Sequence, residues 1–356
     1  MNWSGEASAH WSVIGNGTTS FDVSTICLGT MQMGTKIDEA TSFAILDRFV
    51  DAGGTFIDTA NNYSFWDNGH GRDSEDVIGR WLESRGGRDR LRIATKLGAA
   101  KKDPALPLSN TEPTNFQGLG AEVIGWEARE SAKHLGVDHL DVVYGHVDDL
   151  ETPLAETVGA FGALQEDGLI GIAGISNVAV WRVVEAREEA LRQGVAPYGV
   201  VQQQYSYVYP QPKLGRQNFV TPELLSYAAS TGVDGRPPLA VTAYSPLHQG
   251  ALTRTDKPLW GGVDHPTTVA RIKLLHEVAR DIGATPNQVA LAWLLGREVP
   301  VIPVAGPSSV AQLDEVLGAA DLDLDPEVRE RLDAEPEERP AAKRPAAKRP
   351  EERDAA

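Results

Sequence analysis

Short apolar runs rich in Val and Ile alternate with longer segments of helical periodicity along most of the 356 residues. No other property of the chain limits its fold so sharply, because that order implies βαβα units built on a parallel sheet. The candidate strands are Ile26–Thr30, Thr55–Asp58, Leu91–Thr95, Leu140–Tyr144, Ile170–Ile175, Gly199–Gln202, Leu239–Tyr244 and Val299–Pro303. The spacing predicts helices over Glu39–Ala52, Ser74–Ser84, Glu122–Leu135, Pro153–Asp167, Val178–Gln193, Pro222–Ser230, Thr267–Ile282 and Val310–Leu317, with Pro286–Leu295 as one more before the last strand. Eight strand–helix units in one unbroken series favour a single closed (β/α)8 TIM barrel over two open sheets. Ahead of it, Asn16-Gly17 reads as a two-residue turn between Trp11–Ile14 and Thr19–Val23, which predicts an N-terminal β-hairpin.

Two stretches break the rhythm. Residues 98–120, with Pro104, Pro107 and Pro113, are too long for a simple βα connection. They follow the third barrel strand, on the face where barrel active sites lie, so a loop that covers the substrate is expected there. From about Glu335 the chain repeats Arg-Pro-Ala-Ala-Lys without an apolar pattern. Residues 1–334 are therefore expected to form the barrel, and 335–356 a disordered low-complexity tail.

Composition removes several function classes. A net charge of −17 argues against a nucleic-acid surface or a polybasic membrane patch. An anionic cofactor stays compatible with that charge if helix N-termini or local cations receive it. One cysteine, Cys27 in an apolar run, allows neither an internal disulfide nor a cysteine metal cluster. The polar start MNWSGEASAH has no signal-peptide core, and no apolar run approaches the ~20 residues that span a bilayer. The expectation is a cytoplasmic protein.

The chemistry-bearing residues stand at strand ends. Asp58 closes the second barrel strand and Tyr63 follows in its loop; Lys96 closes the third strand and His146 the fourth. Strand C-termini of a barrel converge on one mouth, so these four are expected to be neighbours. Singly, each has a plainer reading: a cap, a solvated charge, a surface aromatic, a structural histidine. A Gly-x-Gly-x-x-Gly after a strand is missing, which argues against a Rossmann site. The histidines His70, His134, His139, His248, His265 and His276 show no metal-ligand spacing, so no metal is expected.

From about Val13 to Leu332 the chain resembles the aldo-keto reductase superfamily. The segment Gly53-Gly54-Thr55-Phe56-Ile57-Asp58-Thr59-Ala60-Asn61-Asn62-Tyr63 is similar to the family signature, Ala94-Thr95-Lys96 to the strand with the catalytic lysine, and Leu140–His146 to the strand with the histidine. Tyr144 stands where that family commonly has glutamine. The resemblance implies a catalytic tetrad of Asp58, Tyr63, Lys96 and His146. It also implies a nicotinamide cofactor, held through Ser176 and Asn177 of Gly174-Ile175-Ser176-Asn177, through Gln202, and through Tyr244, Ser245, Pro246 and Leu247. Gly306, Ser308, Gln312 and Glu315 match the adenosine-phosphate segment, and Gly29, Thr30, Met31 and Asp58 complete the cofactor set. Val316 replaces an asparagine usual in that segment, and no Lys or Arg lies between Arg297 and Arg329 to meet a 2′-phosphate. NADPH is the expected cofactor, with NADH as second option.

On this reading Lys96 lowers the Tyr63 pKa, Asp58 holds Lys96, and His146 steers the carbonyl of a small aldehyde or ketone and assists the proton relay. A keto-sugar, an aryl aldehyde and a secondary-metabolite ketone all suit a pocket lined by Phe65, Trp66, Trp260 and the 98–120 loop, and the sequence does not rank them. An alternative is a redox-sensing or regulatory protein on the same fold, with the cofactor site kept and little turnover. The sequence leaves oligomeric state open.

Overall fold

Successive residues of the barrel strands face alternately the lumen and the surrounding helices, which gives the sheet an inner and an outer face. The computed structural model describes residues 10–64, 70–103, 115–210 and 218–334. A hairpin of β1 (Trp11–Gly15) and β2 (Ser20–Ser24) precedes eight parallel strands: β3 (Cys27–Gly29), β4 (Phe56–Asp58), β5 (Arg92–Leu97), β6 (Leu140–Gly145), β7 (Ile170–Ser176), β8 (Val200–Gln204), β9 (Ala240–Tyr244) and β10 (Val301–Ala305). They pair in sequence order, and β10 closes back on β3. The expected barrel is present.

The helices α1 (Glu39–Asp51), α2 (Asp73–Arg85), α3 (Ala121–Leu135), α4 (Leu154–Glu166), α5 (Val180–Gln193), α6 (Pro222–Ala229), α7 (Pro266–Ile282), α8 (Pro286–Leu295) and α9 (Val310–Leu317) follow the strands in turn. Their starts are chemically marked. Asp38 accepts from Thr41 N at 2.8 Å to cap α1, and Thr285 with Gln288 forms a reciprocal capping box ahead of Pro286 in α8. A tenth helix, α10 (Pro326–Asp333), is an addition to the sequence reading. Its polar face is wide and only Leu332 is buried, so its apolar periodicity is too thin to stand out.

Two apolar layers result. Outside the barrel, Ile45, Leu46 and Phe49 of α1, Val77 and Ile78 of α2 and Leu291 and Leu294 of α8 pack on outward residues such as Leu28, Ile57 and Val201. Full burial of each such side chain contributes about 1.5–3 kcal/mol. Inside, Cys27, Phe56, Ala94, Val142, Tyr144, Ile172, Val200, Ile302 and Val304 fill the lumen, with Ile14 and Val23 of the hairpin beneath them. The hairpin thus plugs the N-terminal end. Its loop is longer than the two residues expected: Gly15 pairs with Ser20, and Asn16–Thr19 form the connection. Asn16 is the reason, since its Oδ1 accepts from Thr18 N, Thr18 Oγ1 and Thr19 N and so folds four residues rather than two.

The segment after β5 begins as a short antiparallel ladder. Lys101 bridges Phe116, and Gln117 N donates to Ala100 O. Residues 104–114, and with them the body of the expected covering loop, lie outside the described residues, as do Phe65, Trp66 and the tail from 335. Among the described residues no helix is long and apolar enough to cross a membrane, and no three His, Cys, Asp or Glu side chains gather as metal ligands.

Candidate active site

The C-terminal mouth gathers the four residues singled out from the sequence. Asp58 is the last, inward-facing residue of β4. Beyond it the chain keeps bonding to β5, through Thr59 N to Ala94 O and Asn61 N to Lys96 O, and this fixes the turn that carries Tyr63. Ser64, at a left-handed φ of 57°, closes that turn by donating from Oγ to Met31 O. Lys96 faces inward from β5, beside Tyr144 of β6 in register. His146 sits one residue past β6, held by its N–H on Leu97 O.

Lys96 is the centre. The residue is 1% exposed, and its ammonium uses all three donors: on Asp58 Oδ2 at 2.5 Å, Thr59 O at 2.8 Å and Tyr63 Oη at 2.6 Å. The Tyr63 hydroxyl in turn donates to Asp58 Oδ2 at 3.1 Å. The other carboxylate oxygen, Oδ1, accepts from Gln202 Nε2 at 2.9 Å. Gln202 belongs to β8, four strands round the barrel from β4, so Asp58 is held from both sides of the lumen. Below, the Tyr144 hydroxyl meets Thr242 Oγ1 at 3.2 Å, and its ring occupies space that only Gly174 leaves open: a Cβ there would stand 2.4 Å from the ring.

The electrostatics revise one expectation. Burial, followed by the Asp58 carboxylate, pushes the Tyr63 phenol well above its ordinary value. Lys96 was expected to lower it, but its charge is matched by Asp58 at contact, so the phenolate gains little against the loss of water. Burial likewise pulls Lys96 down, with Asp58 opposing. The resting Tyr63 is a neutral phenol. His146 is half-buried with Nδ1 lacking a partner, and its ring meets Tyr63 edge-on at 6.1 Å. Burial, aided by Lys96, lowers its pKa to about 3, so it is a neutral imidazole rather than a proton carrier near pH 7.

The remaining sequence candidates divide into two groups. Ser176 is buried and pairs in register with Gln202. Asn177, at φ 56°, donates from Nδ2 to His146 O and Ser176 Oγ, while its Oδ1 accepts from the Tyr244 hydroxyl at 2.8 Å. Tyr244 ends β9 half-buried, followed by Ser245 at φ 52°, buried Pro246 and half-buried Leu247. These border the four. Gly306, Ser308 and Gln312 are exposed around the start of α9, where Gln312 Oε1 accepts from both Ser308 N and Ser308 Oγ. Glu315 turns toward α8 and accepts from Asn287, and Val316 is buried in the outer core. Gly29 packs half-buried on Val304, whereas Thr30 spends its hydroxyl on Asp58 O and Ser74. Trp260 lies against His248, with ring centroids 4.9 Å apart.

Sequence reasoning missed the Gln202–Asp58 bond, the Thr59 carbonyl and the Tyr144–Thr242 contact. Strand alternation held part of the signal. Gln202 and Gln204 share the inward face of β8, and Gln203 alone points out, donating to Val178 O.

The family model for the aldo/keto reductase family matches residues 25–335. An uncharacterised oxidoreductase of Bacillus subtilis, YrpG, is 32% identical over 327 residues, covering 89% of this chain and 93% of its own. Norsolorinic acid reductase stcV of Emericella nidulans is 30% identical, over 88% of this chain and 79% of its own. An aryl-alcohol dehydrogenase [NADP(+)] of Phanerodontia chrysosporium is 28% identical, over 86% and 80%. The chain belongs to the aldo/keto reductase family.

Proposed function

We propose that the protein is an NADPH-dependent reductase of aryl ketones and aldehydes, with Tyr63 as the proton donor. The observation that carries this reading is the buried Lys96 ammonium, bonded at once to the Tyr63 hydroxyl and the Asp58 carboxylate. An aryl substrate is supported by the name of one relative, the aryl-alcohol dehydrogenase, and dependence on NADPH by the NADP(+) in that same name.

The residues fit a nicotinamide. Ser176 accepts from Asn177 and keeps its own hydroxyl proton to offer a carboxamide oxygen. The Tyr244 ring is half-buried and pinned through its hydroxyl by Asn177 and Asn218, which fixes one flat wall. A bound nicotinamide would supply hydride to the carbonyl carbon. At the start of α9, Gln312 Oε1 occupies the Ser308 donors as a phosphate oxygen would, so nucleotide binding there displaces the Gln312 amide.

The chain's own part is to place and protonate the carbonyl oxygen. Tyr63, kept neutral by burial, turns its O–H from Asp58 Oδ2 to the substrate oxygen. An alkoxide is a far stronger base than a phenolate, so the transfer runs downhill without a lowered phenol pKa. The phenolate left behind still accepts from Lys96 Nζ, whose positive charge compensates it. His146, neutral, donates a hydrogen bond that orients the carbonyl.

The test is a fluorescence titration with NADPH and NADH, followed by turnover of aryl ketones by wild type and Tyr63→Phe. Tighter binding of NADPH and loss of turnover in the variant are expected. Full activity of Tyr63→Phe would overturn the proton-donor role, and no binding of either nucleotide would overturn the reductase reading.

A further inference from the structure

We propose that Glu127 of α3 is a positioning residue for the proton donor, gripping from the helix layer the two segments that carry Lys96 and Tyr63. The first segment is the end of β5. Glu127 Oε2 accepts from Gly98 N at 2.7 Å, two residues after Lys96, where the chain turns at a φ of 90°. The second is the turn between Asp58 and Tyr63. The Glu127 carboxyl faces the side-chain amide of Asn61, and the backbone N–H of Asn61 donates to Lys96 O at 3.1 Å. One carboxyl thus stands where the two segments join. Glu127 Oε1 and both polar atoms of the Asn61 amide are buried and make no hydrogen bond elsewhere. Groups so placed draw each other, since a buried polar atom left unmet is costly.

Glu75 of α2 completes the grip. Its Oε1 accepts from Thr95 Oγ1 at 2.6 Å, one residue before Lys96, and its Oε2 from Arg72 Nη1 at 2.9 Å. Arg72 Nη1 also reaches Ser131 Oγ on α3 at 3.3 Å, so the helices bearing the two carboxyls are tied to each other. Both glutamates are fully buried, and the same helix faces carry Val77, Ile78, Ile124 and Ala128. Stability alone does not call for two carboxyls and a guanidinium there, because apolar side chains of similar volume often serve as well or better. What a hydrogen bond adds is direction. Thr95 and Gly98 bracket Lys96, and Asn61 stands between Asp58 and Tyr63, so the contacts fall on the backbone that aims the ammonium at the phenol.

This role rests on the reductase reading, in which the bond from Lys96 to Tyr63 must keep its length and angle through the reaction. Burial raises the Glu127 pKa, with the Gly98 N–H, Asn61 and Arg72 opposing and Glu75 adding to it. The carboxyl acts here as a shaped acceptor more than as a charge, so a neutral amide of the same shape should replace it. An apolar side chain should not: it leaves Gly98 N unmet and frees the end of β5 to drift. A misplacement of about 1 Å can cost about 100-fold in rate, so a partial loss of aim should cost about tenfold.

The experiment compares Glu127→Met, Glu127→Gln and Asn61→Ala in the full chain. The readouts are kcat, KM and NADPH Kd, together with the NMR signal of the Lys96 ammonium in protein carrying 15N-labelled lysine, assigned with Lys96→Met. Glu127→Met should lower kcat about tenfold at unchanged NADPH Kd and shift the Lys96 signal, whereas Glu127→Gln should keep both near wild type. Asn61→Ala, which leaves α3 intact, should move the signal and kcat in the same direction, and it supplies the test if Glu127→Met does not fold. An unmoved Lys96 signal and unchanged kcat, with only Tm lowered, overturn the proposal and leave Glu127 a structural group. Equal losses in Glu127→Met and Glu127→Gln overturn it too, because the loss would then follow charge and not hydrogen-bond direction. Wild type that neither binds NADPH nor reduces aryl ketones overturns the reductase reading instead. The Lys96 signal, which needs no turnover, separates that failure from loss of the grip.

Discussion

The two ends of the barrel bury charge in different company. At the hairpin end, the Arg187 guanidinium is spread over the carbonyls of Tyr198, Pro237 and Pro238, and Asp141 is held by Arg88 and by Ile93 N. Backbone groups do much of the matching there, beside the Arg88 guanidinium and the Tyr227 hydroxyl that accepts from Arg187 Nε. At the mouth, Lys96 is matched by one carbonyl, one carboxylate and one phenol, so two of its three partners can exchange a proton. Backbone strain follows the same division. Among the described residues, Ser64, Asn177, Ser245, His248 and Gln249 have left-handed φ in mouth loops, against Asp234 at the other end. Buried charge by itself therefore does not mark a site; at the mouth one buried cation is shared between a carboxylate and a phenol that are themselves bonded.

Substitutions at the two ends should separate cleanly. Tyr63→Phe should lower kcat roughly 1000-fold with nucleotide Kd unchanged and a modest fall in Tm, from the Lys96 donor it leaves unmet, measured by NADPH oxidation, fluorescence titration and calorimetry. Lys96→Met should cut kcat by about 100-fold and also destabilise by about 3–5 kcal/mol in urea unfolding, because it leaves Asp58 buried without its cation. Ile14→Ala, in the plug, should cost about 2–5 kcal/mol of stability yet leave kcat within about twofold of wild type. A large loss of turnover there would break the comparison. Asn16→Ala, in the hairpin loop, should cost about 1 kcal/mol with no kinetic effect.

Acid sharpens the contrast in another way. The folded-state pKa of His146, about 3, lies below its unfolded value, so the unfolded chain binds the proton more readily. The stability it contributes is complete above about pH 6.5 and is lost as pH falls toward 3. His248, at about 4, adds the same sign over a narrower window. Denaturation midpoints of wild type should drop across this range, and His146→Gln should drop less. An unchanged slope in that variant would contradict the neutral imidazole.

The barrel was legible because strand alternation and helical spacing repeat eight times, and an error of two residues at any boundary leaves the order intact. The four mouth residues were legible because barrel topology sends every strand end to one place. Partner choice was not. Nothing in the order of residues says that Gln202 reaches Asp58 across the lumen, since lumen contacts depend on stagger and not on sequence distance. The direction of the Tyr63 shift was hidden for a related reason: it turns on how deep the phenol lies and on whether Asp58 cancels Lys96, both properties of packing. Gln204, His248 and Trp260 lie far apart in the chain and meet only through the turn after β9.

Asp58 ties β4 to β8, strands that stand opposite each other in the ring, and this makes the carboxylate a spoke of a wheel. A closed hoop of strands can still flatten into an ellipse, and a spoke across one diameter resists that mode more than any contact between neighbouring strands. Its two ends also grip unequal loads: Gln202 on one side, Lys96 with Tyr63 on the other. Any flattening along that diameter draws the carboxylate away from the ammonium or from the amide. The roundness of the barrel is thereby written into the aim of the Tyr63 hydroxyl, and heating that loosens the hoop should misdirect the proton before it unfolds the chain.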